Sequence, residues 1–219
     1  GFSKTKPLVK YIESEFVQPF LSVITTVTPV FLVISSWSIV LFVGKFLLAD
    51  KIDLDRYLDL FPIGSEYFKP HQFITYMFMH DDISHIFLNM LAVYMFGSIL
   101  ESLWGPKRFL NFYLLCGLGA AALQLAIFYI NGDGAKLLGA SGSVFGLLVA
   151  FAMMFPNTEL QLYFVIPVKA KYLVSAYAAF ELYNGFFAND NVAHFAHLGG
   201  LVVGIIIMLI WKRNKNFFF

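Results

Sequence analysis

The sequence predicts an all-α polytopic membrane protein of six transmembrane helices, on three observations. The 219-residue chain is 59% hydrophobic and only 13% charged, whereas about a quarter of the residues in soluble domains are charged. Its apolar residues gather into six runs that meet or approach the roughly 20 residues needed to cross a hydrocarbon core. Two of those runs carry small residues at every fourth position, Gly142-Gly146-Ala150 and Ala196-Gly200-Gly204, the spacing by which helices approach closely in lipid.

In chain order, residues 1–28 mix Lys4, Lys6 and Lys10 with Glu13 and Glu15 and lack a small-residue cleavage pattern. They read as a cytoplasmic segment rather than a removable signal peptide; a first residue other than Met suggests processing or excision. The first apolar segment is Pro29–Leu48. The connection Ala49–Ile83 is acidic, with apolar patches at Leu58–Ile63 and Phe73–Met79 that read as short amphipathic pieces at the interface. The second and third segments are Ser84–Leu103 and Phe109–Ile130. The third holds Cys116, the only cysteine, which excludes a disulfide framework and a cysteine metal site. The fourth and fifth, Ser141–Phe155 and Tyr172–Phe187, are short for a span. Short helices are tolerated where their outer ends face a water-filled cavity, which puts Ser141 below the surface yet wet. Ala196–Trp211 is the sixth. The membrane domain is therefore 29–211, followed by a cytoplasmic tail, 212–219, with no repeat or second domain.

Lys and Arg near the helix ends set orientation. With the N-terminus inside, ten of the fifteen fall on the inner face and five, Lys45, Lys51, Arg56, Lys69 and Lys136, on the outer. Both termini are expected in the cytoplasm, in a plasma or inner membrane. Ser141, His197 and His85 then open the fourth, sixth and second helices from the outer side, at one depth. A net charge of +1 gives no basic field for nucleic acid.

Taken alone, Ser141 is more simply a small packing residue. The two small-residue stripes change that weighing, because together they bring the fourth and sixth helices into backbone contact with Ser141 and His197 at their outer ends. That is the geometry an activated serine needs. A histidine at lipid depth is costly and points to function. His194 lies three residues earlier on a similar face, so periodicity does not choose between the two, although Gly200 one turn below favours His197. His85 and Asn89 are four apart on one face. They read either as a polar pair bonded across helices or as oxyanion donors, an imidazole N–H and an amide NH₂. His80, His85, His194 and His197 contain no H-E-x-x-H pair and no obvious carboxylate ligand, so neither a metal nor another cofactor is expected. No acid is in view to orient His197: Asp190 lies in the preceding loop. The reading is a dyad, not a triad.

At these residues the chain resembles the rhomboid family of intramembrane serine proteases. The Gly-x-Ser-Gly motif is Gly139-Ala140-Ser141-Gly142, the His-x-x-x-Asn motif runs from His85 to Asn89, and the Ala-His with following glycines is Ala196-His197-Leu198-Gly199-Gly200 with Gly204. Glu101 between Gly97 and Gly105 matches as well. The resemblance implies a rhomboid-like six-helix bundle, a serine endopeptidase with transmembrane protein substrates, His197 rather than His194 as the base, and a substrate gate at the fifth helix and the loop Asn184–Val192. Two positions depart from the pattern. His71-Gln72 stands where many members have Trp-Arg, which bears on how the first loop is anchored, and Phe145 stands where some place a tyrosine against the catalytic imidazole. The alternative is a catalytically inactive scaffold that binds membrane clients.

Overall fold

The structure, a computed structural model, describes residues 28–132, 135–162, 166–188 and 192–213. The readings made on the N-terminal segment, on Asp190 and on the tail beyond Arg213 lie outside these residues.

Helix α1 (Pro29–Leu47) opens on a proline, which lacks only an N–H that a first turn leaves unpaired anyway. The N–H groups of Val30 and Phe31 donate instead to the Glu101 carboxylate, at 3.0 and 3.3 Å. That carboxylate is 2% exposed, and the helix-end donors and dipole supply the partners its burial demands. Glu101 belongs to α2 (Ile83–Trp104), which starts where Asp82 accepts the His85 N–H at 2.8 Å. A π turn at Val93–Gly97 inserts an extra residue and re-aims the side chains after it. Gly105, at φ 78°, reverses the chain into α3 (Pro106–Asn131). Next come α4 (Ser141–Met154), α5 (Ala170–Phe187) and α6 (His194–Arg213).

Four of these helices, α1, α2, α3 and α6, are long and apolar enough to cross a membrane, and α4 is a shorter apolar helix. One element departs from the all-α expectation. β1 (Glu159–Leu162) and β2 (Ile166–Lys169) form an antiparallel hairpin between α4 and α5, pairing Glu159 with Lys169 and Leu162 with Ile166. Such short strands leave little periodicity to read in the sequence.

Helix α6 packs against α3 and α4 with its glycines close to their backbones. A Cβ on Gly200 would overlap the Gly142 carbonyl, one on Gly204 would stand 3.1 Å from Gly146 Cα, and one on Gly199 would stand 2.6 Å from the Gly119 carbonyl oxygen. In lipid no hydrophobic force drives helices together, so this close van der Waals fit, with interhelical hydrogen bonds such as that from Ser143 Oγ to the Tyr113 carbonyl at 2.8 Å, holds the trio. Helix α5 is peripheral and buries only Ala170, Val174 and Glu181.

The loop between α1 and α2 is anchored by polar contacts. The fully buried Gln72 amide donates to the Tyr67 carbonyl at 2.9 Å and accepts the Lys69 N–H at 3.1 Å. His71 Nε2 lies 2.8 Å from the Tyr57 carbonyl. These two residues therefore tie the loop down in their own way. Leu60 and Leu137 form a bridge across to the α3–α4 connection, where Lys136 sits 2.7 Å from both Asp55 and Asp59. Burial pushes the Asp59 carboxyl up to about 7, against the pull of the Lys136 ammonium.

Candidate active site

The site forms where α2, α4 and α6 begin. Gly139 enters it at φ 113°, a backbone region open to glycine but strained for other residues. Its N–H donates to the Tyr76 carbonyl at 2.9 Å. A Cβ there would lie 2.7 Å from His85 Nε2 and 3.7 Å from Ser141 Oγ, so the missing side chain leaves the gap across which these two groups face each other. Ser141 is the first residue of α4. Its backbone N–H is one of the unpaired donors of a helix N-terminus, where the dipole favours negative charge.

Ser141 Oγ lies 2.8 Å from His197 Nε2, within the reach that a nucleophile and its base require. A ring contact also holds the imidazole. Phe145, one turn along α4, stacks on it with centroids 4.5 Å apart and planes 9° from parallel, as a tyrosine ring would, without the hydroxyl. The start of α6 is fixed to α3 by the Gln124 side chain, which accepts the Ala196 N–H at 3.1 Å.

The fold corrects one expectation. An acid does face His197, and it comes from α5: Glu181 Oε2 lies 2.9 Å from His197 Nδ1. The separation is that of an ion pair, but the atoms are not aligned as a straight N–H···O bond, and Nδ1 has no other partner among the described residues. Hydrogen bonds in substrate-free sites often straighten only on binding. The same carboxylate oxygen lies 2.6 Å from His194 Nδ1. His194 thus faces the acid, and only His197 faces the serine. Glu181 is missing from the sequence reading, which looks for the acid only in the sixth segment and its preceding loop. The available signal was Glu181 itself, the only acid in the fifth apolar run, since an ionisable group at lipid depth points to function.

His85 and Asn89 line the opposite wall. The Asn89 amide is buried and donates to the His85 carbonyl at 2.9 Å. The backbone N–H of Asp81 approaches His85 Nδ1 at 3.5 Å, which leaves Nε2 to carry the ring proton towards Gly139. The His80 ring meets that of His85 edge to face at 4.9 Å, and burial pushes His80 down to about 4, so this neighbour is uncharged at neutral pH.

Glu181, His194 and His197 each offer one ligand atom within 4.8 Å of one another, a group able to hold a metal ion. The sequence reading, which sees no carboxylate near the histidines, misses this cluster for the same reason that it misses Glu181.

Comparison with known proteins gives concordant matches. The family model of the Rhomboid domain matches residues 67–214. The RHOMBOID-like protein 12, mitochondrial, of Arabidopsis thaliana is 30% identical over 190 residues, which cover 79% of this chain and 56% of that protein. The Rhomboid protein 1, mitochondrial, of Saccharomyces cerevisiae is 30% identical over 135 residues, 59% of this chain and 38% of that protein. The Putative rhomboid protease YdcA of Bacillus subtilis is 26% identical over 149 residues, 65% of this chain and 68% of that protein. The chain thus spans about half the length of the plant relative and less of the yeast one.

Proposed function

From the premise that the chain belongs to the rhomboid family, we propose that it is a serine endopeptidase that cuts peptide bonds in or near transmembrane segments of other membrane proteins. The observation that carries this reading is the 2.8 Å contact between Ser141 Oγ and His197 Nε2 at the start of two helices packed backbone to backbone. Ser141 Oγ attacks the scissile carbonyl while His197 Nε2 takes its proton, then returns it to the leaving amine. Water, deprotonated by the same nitrogen, hydrolyses the acyl-enzyme. The Ser141 backbone N–H, His85 Nε2–H and the Asn89 amide receive the oxyanion.

The six-helix count belongs to this proposal, with α4 and α5 joining the four longer spans, as do the membrane domain 29–211 and both termini on its Lys- and Arg-rich face. Helix α5, held by few buried residues, and the loop after it serve as the substrate gate. The names of the plant and yeast relatives carry the word mitochondrial, which favours an organellar membrane over the plasma membrane.

The test is cleavage of a model transmembrane substrate by purified protein in proteoliposomes. Ser141→Ala and His197→Ala each abolish cleavage with the bundle still folded, whereas His194→Ala retains substantial activity. An inactive wild type whose Ser141 resists a fluorophosphonate probe would leave the scaffold reading in its place. A dead His194 variant beside a normal His197 variant would reverse the assignment of the base.

A further inference from the structure

We propose that Glu181 is a positioning residue for the proteolytic reaction: its carboxylate on α5 holds the His197 imidazole with Nε2 unprotonated towards Ser141, and His194 holds that carboxylate from its other side. The inference rests on the protease reading above and adds to it an acid and a second imidazole that act through His197.

Three observations carry it. Glu181 is 6% exposed on α5, a helix whose large side chains, Tyr172, Phe180, Tyr183 and Phe187 among them, are otherwise mostly exposed, and His194, on α6, is 7% exposed. A carboxylate turned inward from such a helix needs strong partners to offset its desolvation, and the two imidazoles are those partners. Both contacts also use the same oxygen and the same ring atom: Glu181 Oε2 lies 2.6 Å from His194 Nδ1 and 2.9 Å from His197 Nδ1. An ionised carboxylate only accepts, so each ring presents Nδ1–H to it, and in a neutral imidazole the other nitrogen is then a bare acceptor. For His197 that other nitrogen is the one 2.8 Å from Ser141 Oγ. The acid therefore selects the tautomer that general-base catalysis needs, and its charge faces the imidazolium that forms when the serine gives up its proton.

The groups around His197 make Glu181 the sole source of that negative charge among the described residues. Helix α4 contributes Ser141 and Phe145, α3 the neutral Gln124, α2 His85, and α6 itself His194. His194 has a different task. With its 2.6 Å contact it fixes the carboxylate against swinging out with α5, so removing it lowers activity less than removing the acid.

The step balances without any added reagent. The proton moves from Ser141 Oγ to His197 Nε2 as the Oγ–carbonyl bond forms, it leaves on the amine as the peptide bond breaks, and Glu181 stays ionised throughout.

The experiment compares wild type, Glu181→Gln and Glu181→Asp in proteoliposomes, with EDTA present so that loss of a metal ligand plays no part. Glu181→Gln is expected to lower kcat by on the order of a hundredfold or more, against about 10⁴ for removing the orienting acid of a soluble serine protease. KM should stay within about twofold and the unfolding temperature near that of wild type. Glu181→Asp, which keeps the charge, should recover part of kcat. Independently of any variant, ¹⁵N NMR of the wild-type His197 ring should find the proton on Nδ1 and none on Nε2. Wild-type cleavage combined with an unchanged kcat in Glu181→Gln, or a ring protonated at Nε2, overturns the role of Glu181 and leaves the protease reading intact. A wild type that cleaves nothing and leaves Ser141 unlabelled sinks both.

Discussion

Gly200→Ala tests how tightly the site depends on the packing beneath it. A Cβ at Gly200 would overlap the Gly142 carbonyl oxygen and stand 2.6 Å from its carbon, where ordinary contact begins at 3.4 Å. Neither obstacle is a flexible side chain. Both belong to the backbone of α4, one residue after Ser141. Helices α4 and α6 must therefore separate by about an ångström, and Gly204, with its own close approach to Gly146, leaves little room for tilting instead. Overpacking of this kind costs about 1–3 kcal/mol. The Ser141–His197 contact of 2.8 Å stretches by a similar distance, and misplacement of reacting groups by about 1 Å can cost about a hundredfold in rate. Activity is thus expected to fall out of proportion to stability. Gly200→Val, with a larger branched side chain, should be worse on both counts, while Ile206→Val, on a half-exposed lipid-facing position, should change neither. Thermal unfolding in detergent, paired with cleavage rates in proteoliposomes, reads both quantities. Full activity in Gly200→Ala would refute the argument, because it would mean that α4 and α6 do not meet along these glycines.

Other outcomes follow from single contacts. Glu101→Gln keeps the side-chain shape but removes the charge that the α1 N–H groups of Val30 and Phe31 receive; a loss of about 1–3 kcal/mol is expected, visible as a lower unfolding temperature, and an unchanged temperature would show that α1 is held by other contacts. His85→Ala and Asn89→Ala should each lower kcat by on the order of a hundredfold, as loss of one oxyanion donor does, with smaller changes in KM. An Asn89 variant with normal kcat and a sharply raised KM would assign that side chain to substrate positioning. EDTA should leave cleavage unchanged while micromolar Zn²⁺ inhibits, since an ion bound by Glu181, His194 and His197 displaces the acid from the base. A loss of activity in EDTA that Zn²⁺ restores would instead reveal a resident metal.

The sequence by itself determined the helices and picked out the polar residues that the candidate site contains. Composition and run length placed the six apolar segments within a few residues of the observed helices, because a bilayer demands long apolar stretches and leaves backbone groups few alternatives to helical pairing. The Gly-Ala-Ser-Gly turn, the pair His85 and Asn89, and His197 were legible because each is a polar interruption of an apolar run. The two glycine stripes were legible too, because close approach in lipid needs small residues at a fixed helical spacing. Only the tertiary structure decided which polar groups meet. Glu181 and His197 lie on different helices joined by a loop, and the rotation of α5 that turns this one carboxylate inward is set by packing, to which its own periodicity gives no clue. His194 and His197 share a face in sequence, yet only one meets Ser141, because the contact of Gly200 with Gly142 fixes the rotation and height of α6 against α4. The Gln72 anchor and the α4–α5 hairpin were hidden for a similar reason: backbone carbonyls and short strands acquire partners only once distant segments have been brought together.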